Sequence, residues 1–209
     1  MGRNDYHGAI VLLECARRLS GVDQPSLLAL GDLYFNEGLY GKATSCYVEA
    51  GKGKRLSTDT RVRYAEALLE AGQPLLAEKL ISREPSGNVN QPERLQIVRA
   101  RLALAKKDTS SATAHLHAAI RACPMNGDAL LMLAHVQKEE GELDRALLTL
   151  ERASRVESHK RRALLGIAEI HVDRSGYEEA LEALEEAQAL QFDPHVARYM
   201  EHIRKASQE

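Results

Sequence analysis

A chain of 209 residues that is 44% apolar and 28% charged has ordinary folded composition, which excludes disorder over most of its length. Its 28 basic and 30 acidic side chains leave a net charge of −2, and this balance argues against nucleic acid, which demands a basic stripe to displace counterions. No run approaches the ~18 apolar residues of a membrane span, and Cys15, Cys46 and Cys123, widely spaced without a CxxC pair, read as reduced, half-buried thiols.

Periodicity and punctuation predict twelve helices, over 4–19, 25–37, 40–51, 58–71, 75–83, 92–106, 109–122, 127–140, 143–155, 160–174, 177–190 and 194–206. The starts carry N-cap residues or early prolines at Asp23-Gln24-Pro25, Ser57-Thr58-Asp59, Gln91-Pro92, Asn126-Gly127-Asp128, Ser158 and Asp193-Pro194. Stops fall at Gly38, Gly72, Gly141 and Ser175-Gly176, with Lys107-Asp108 in the same place without a glycine. Two looser places are expected, at Gly51-Lys-Gly-Lys54, whose glycines should fray the helix before them, and at the longer loop from Pro85 to Pro92.

These helices repeat. Ala9, Ala43, Ala77, Ala112, Ala146 and Ala180 follow one another at steps of 34, 34, 35, 34 and 34. Four places after each stands a larger apolar residue, and three beyond that a small one, except at Glu84. Offsets of three and four share one helix face, so the row marks an edge where a neighbouring backbone approaches closely. A second small-residue row, Gly31, Ala65, Ala100, Ala134 and Ala168, runs twelve residues ahead, which gives two helices per period.

Each full period resembles a tetratricopeptide repeat, best in 24–57 through Leu27, Leu30-Gly31, Tyr34, Gly38, Ala43, Tyr47 and Ala50. Periods 127–160 and 161–194 follow; 58–92 and 93–126 depart from the pattern at Arg61, Arg99 and Ala103, where large apolar residues are usual. The resemblance implies an all-α, right-handed α-solenoid of antiparallel helix pairs. It divides the chain into an unpaired N-terminal helix (1–23), five repeats (24–57, 58–92, 93–126, 127–160, 161–194) and a C-terminal capping helix (195–209). The N-terminal helix belongs to the second-helix row with no first helix before it. The chain is therefore expected either to be cut from a longer repeat protein or to pair with another copy through residues 6–19.

Chemistry-bearing patterns are sparse. His115 and His117 point to different helix faces, His195 and His202 lack companions, and no HExxH, GxSxG or Cys/His cluster occurs, so no catalytic residue, metal or cofactor is assigned. His159-Lys-Arg-Arg162 reads as solvated basic residues around an N-cap at Ser158. Gly8 to Leu13 runs into Glu14 and Arg17-Arg18, unlike a signal peptide, so a cytoplasmic protein is expected unless an upstream signal belongs to a longer parent.

In the family that the chain resembles, the first helices line a concave groove. The ninth position of each repeat is Asp32, Glu66, Arg101, His135 and Glu169, and the twelfth is Phe35, Leu69, Leu104, Lys138 and Val172. The fifth row, Leu28, Val62, Ile97, Leu131 and Leu165, is uniformly apolar. Apolar pockets beside charges of both signs suit a peptide or protein segment, so the expected function is a non-catalytic interaction scaffold. The competing expectations are an RNA-binding helical-repeat protein, which Asp32, Glu66 and Glu169 in the groove disfavour, and a docking or regulatory fragment of an enzyme or assembly factor.

Overall fold

The computed structural model describes residues 6–53, 56–82 and 90–207. Among them are twelve α-helices and no strand: α1 (Tyr6–Leu19), α2 (Gln24–Asn36), α3 (Tyr40–Gly53), α4 (Thr58–Glu70), α5 (Pro74–Ile81), α6 (Pro92–Ala105), α7 (Thr109–Ala122), α8 (Gly127–Glu139), α9 (Leu143–Ser154), α10 (Glu157–Asp173), α11 (Tyr177–Leu190) and α12 (Pro194–Ala206). Most of the expected loop from Pro85 lies outside the described residues.

Side-chain caps fix the starts. Asp23, Ser57, Asp108 and Asn126 accept the backbone N–H three residues on, at 2.9 to 3.1 Å. The turns within pairs share one device: Gly38, Gly72 and Gly141 adopt φ of +72°, +70° and +78°, and the next residue donates to the carbonyl five back, as Leu39 N–H does to Tyr34. Lys107 and Ser175 make the same left-handed step with φ of 61° and 59°, so the turn before α7 needs no glycine. Two expectations are corrected. α3 continues through Gly51 to Gly53. α10 begins at Glu157, so Ser158 is inside the helix, its hydroxyl 2.9 Å from His159 Nδ1, and the cap position falls to Val156 without a side-chain bond.

The chain forms two compact units, Met1–Lys107 and Asp108–Glu209. In the first, α2 packs on α3 and α4 on α5, with α1 against α2, α3 against α5 and α6 against α4 and α5. In the second, α8 packs on α9, α10 on both α9 and α11, α7 on α8 and α12 on α11. The alanine rows are the seams: Ala43, Ala77, Ala112, Ala146 and Ala180 are fully buried, as are Ala65, Ala100 and Ala168. At Gly31 the fit leaves no room for a side chain, since a Cβ there would fall 2.4 Å from the ring of Tyr47.

Arg61 is buried where the repeat pattern prefers an apolar residue. It is accommodated because its guanidinium donates to Thr58 Oγ1 at 3.2 Å and to the Leu80 carbonyl at 3.5 Å. Half-burial describes Cys123 alone: Cys46 lies in the core of the first unit beside Ala43 and Tyr47, and Cys15 is exposed on the outer face of α1. All three thiols are free, and burial pushes the Cys46 thiol pKa up.

Candidate functional site

The ninth and twelfth rows reach the surface in both units, and no residue in them is buried. In the first unit, Asp32 on α2 accepts the Tyr47 hydroxyl at 2.9 Å, and Tyr47 stacks on Tyr64 with ring centroids 3.8 Å apart. Glu66 on α4 is taken up by the Arg94 fork, with Nε 3.1 Å from Oε1 and Nη2 on Oε2. Phe35 and Leu69 are half-buried against the core, Phe35 edge-on to Tyr40. Leu104 and Arg101 are half-buried on α6, and among the described residues Arg101 forms no ion pair.

The tyrosines beneath this face titrate high. Burial, reinforced by the Glu14 carboxylate at 2.7 Å, pushes Tyr34 up to about 12, and burial with Asp32 alongside raises Tyr47 and Tyr64. Free tyrosine ionises near 10. A raised folded value means that the stabilisation is complete below about pH 10 and is lost as pH rises through about 12. The urea midpoint of the chain should therefore fall above pH ~10, and Tyr47→Phe should flatten that fall. A midpoint equally steep in the variant would remove Tyr47 from the account.

In the second unit the rows converge. Leu131, His135 and Lys138 of α8 and Leu165 and Glu169 of α10 border one cavity of about 260 Å³, floored by Ala134, Leu150 and Ile170. Lys138 bonds Glu169 at 3.1 Å and lies 3.5 Å from Asp173. Burial alone would lower its pKa, but those two carboxylates carry it above the ordinary value. His135 is exposed and forms no ion pair among the described residues. Val172, on α10, packs instead into the cluster with Leu184 and Met200.

Three lining residues, Arg162, Gly166 and Ile170, escaped the row-by-row reading. Gly166 lines the wall, where a Cβ would meet Leu150 at 3.1 Å. Its signal in the sequence was the sixth position of the repeat, occupied elsewhere by Ala29, Arg63, Val98 and Met132. Arg162 stands at the rim, 3.7 Å from Asp128. It belongs to the basic cluster read as solvated and is itself exposed, whereas the other three residues of the cluster are half-buried. His159 meets Asp128 at 3.1 Å, Lys160 meets Glu186 at 2.7 Å and Arg161 meets Asp193 at 3.2 Å, so each residue clamps α10 to a carboxylate on a neighbouring segment.

No group of three His, Cys, Asp or Glu among the described residues is placed to hold a metal ion, and none of the described helices is long and apolar enough to cross a membrane. Residues 103–161 match a family model described as tetratricopeptide repeat. No curated protein matches the chain in sequence. Among solved structures the chain is similar to YrrB, a TPR protein with an unusual peptide-binding site, with TM-score 0.64 and 16% identity over 91% of this chain and 97% of that one. It is also similar to PilF of Pseudomonas aeruginosa, with TM-score 0.67 and 16% identity over 96% and 90%. The type IV pilus biogenesis factor PilW gives 0.68 and 19% over 94% and 91%. At such identities the likeness carries the fold alone, that of tetratricopeptide repeat proteins, and residues 103–161 carry the match to the family itself.

Proposed function

We propose that the chain is a non-catalytic scaffold that binds a peptide or protein segment on its first helices, with Asp32, Phe35, Glu66, Leu69, Arg101 and Leu104 contributing in the first unit and His135, Lys138 and Glu169 in the second. One observation carries the reading: the cavity between α8 and α10, about 260 Å³ with an apolar floor and a rim of both charge signs. Small-molecule sites typically run ~300–1,000 Å³, so this one suits one or two side chains of a peptide. The peptide-binding site of YrrB, a protein of similar fold, supports the same reading. The free thiols fit a reducing, cytoplasmic location. For the outer face of α1, the proposed partner is a second copy of the chain.

Selection from a random displayed peptide library tests the groove. The wild-type chain should retain peptides with an aliphatic residue beside an acidic one, and His135→Glu should shift the retained set toward basic residues. Identical sets from both proteins would move the site elsewhere.

A further inference from the structure

We infer that the partner of the cavity between α8 and α10 is an extended segment with opposed charges, a carboxylate at one end, an aliphatic residue in the cavity and a cation at the other. This rests on the reading of that cavity as a peptide site. The two helices run side by side in the same direction. Asp128, near the start of α8, meets His159 and Arg162 near the start of α10, and Lys138, near the end of α8, meets Glu169 and Asp173 near the end of α10. The two ends of the cavity therefore carry charge in opposite proportion.

At the first end, two basic side chains share one carboxylate. His159 Nε2 lies 3.1 Å from Asp128 Oδ1, and Arg162 approaches the same oxygen only to 3.7 Å, beyond hydrogen-bond range. Its guanidinium stands 65% exposed at the cavity rim, open to a carboxylate that it can take by two parallel bonds. At the second end, two carboxylates share one cation. Lys138 lies 3.1 Å from Glu169 and 3.5 Å from Asp173, and both carboxylates are at least half exposed. A second cation there would give each a partner of its own. Between the ends the lining is Leu131, Leu165 and Gly166, and His135, exposed on α8, adds no carboxylate to either. The length fits an extended chain. At ~1.5 Å per residue along α10, Arg162 stands ~10 Å from Glu169 and ~16 Å from Asp173. Alternate residues of an extended segment face one way, so a central residue and those two places before and after it span ~13 Å, between those values.

The test titrates the full, ¹⁵N-labelled chain with synthetic peptides alike except at the residues two places before and after a central leucine. These are Glu and Lys, Lys and Glu, Glu and Glu, or Lys and Lys. Amide signals of α8 and α10 should move, and one of the two mixed peptides should bind about fivefold or more tighter than both uniform ones. Arg162→Glu with Glu169→Lys, both at exposed positions, should transfer the preference to the mixed peptide of opposite order, with helical circular dichroism unchanged. A uniform peptide that moves the same signals and binds as tightly as the better mixed one overturns the opposed-charge inference and leaves the cavity as a peptide site. An unchanged preference in the exchanged variant does the same. If no peptide moves the signals of α8 and α10, the inference and the peptide-site reading fall together.

Discussion

Gly31→Ala lowers the unfolding free energy by ~1–3 kcal/mol, although alanine inside a helix is ordinarily favoured over glycine by ~1 kcal/mol. The sign reverses because the new methyl would sit 2.4 Å from Tyr47 Cε1 and 2.8 Å from Cδ1. The ring is confined, with a cavity of only about 40 Å³ beside it. It is 1% exposed, stacked on Tyr64 at 3.8 Å and tied by its hydroxyl to Asp32. Overpacking of this kind moves backbone or forces strained rotamers, and here α2 and α3 would separate along their seam. Tyr47→Ala removes the obstacle at a cost of ~3–5 kcal/mol in lost burial. In that background Gly31→Ala should be neutral or stabilising, a coupling that a double-mutant cycle isolates. Urea unfolding at unchanged slope is the measurement. A wild-type background stabilised by Gly31→Ala would mean that Tyr47 is free to move.

The architecture was legible because repetition averages out local ambiguity. One alanine at a helix seam says little, but Ala43 through Ala180 at steps of 34 or 35 fix both the period and the buried edge, and all five are fully buried. Pairing of individual charges was not legible, since it depends on segments about thirty residues apart meeting in space. Arg94 finds Glu66, Lys138 finds Glu169, and the four residues His159 to Arg162 find three different segments. For the same reason the start of α10 was misplaced: Ser158 is a good cap in isolation, yet its hydroxyl lies against His159, which is itself drawn to Asp128. Cys15 shows the converse. Read from its spacing as a half-buried thiol, it is exposed, as are Val11 and Leu19 one turn to either side on α1.

The candidate groove was legible as rows but not as a cavity. Leu131, His135, Lys138, Leu165 and Glu169 were readable from their positions, whereas Gly166, which lines the space between them, stands outside those rows. That gives the most direct test of function. Gly166→Leu should reduce binding of library-selected peptides at least tenfold, equivalent to ~1.4 kcal/mol, because the leucine occupies the volume that a peptide side chain would fill. Gly166→Ala should act more weakly, its methyl pressing Leu150 Cδ2 and Cδ1 from 3.1 and 3.2 Å, contacts that need a shift of a few tenths of an ångström. Both changes favour the helix intrinsically, so a loss of binding with intact circular dichroism cannot be assigned to unfolding. Lys138→Met separates shape from charge. It removes an ammonium held by Glu169 and Asp173, leaves the floor unaltered and frees those carboxylates, so it should change which peptides bind more than how tightly the apolar residue is held. Isothermal titration of one selected peptide against the three variants reads both effects. Equal affinity for wild type and Gly166→Leu would show that the peptide side chain enters elsewhere.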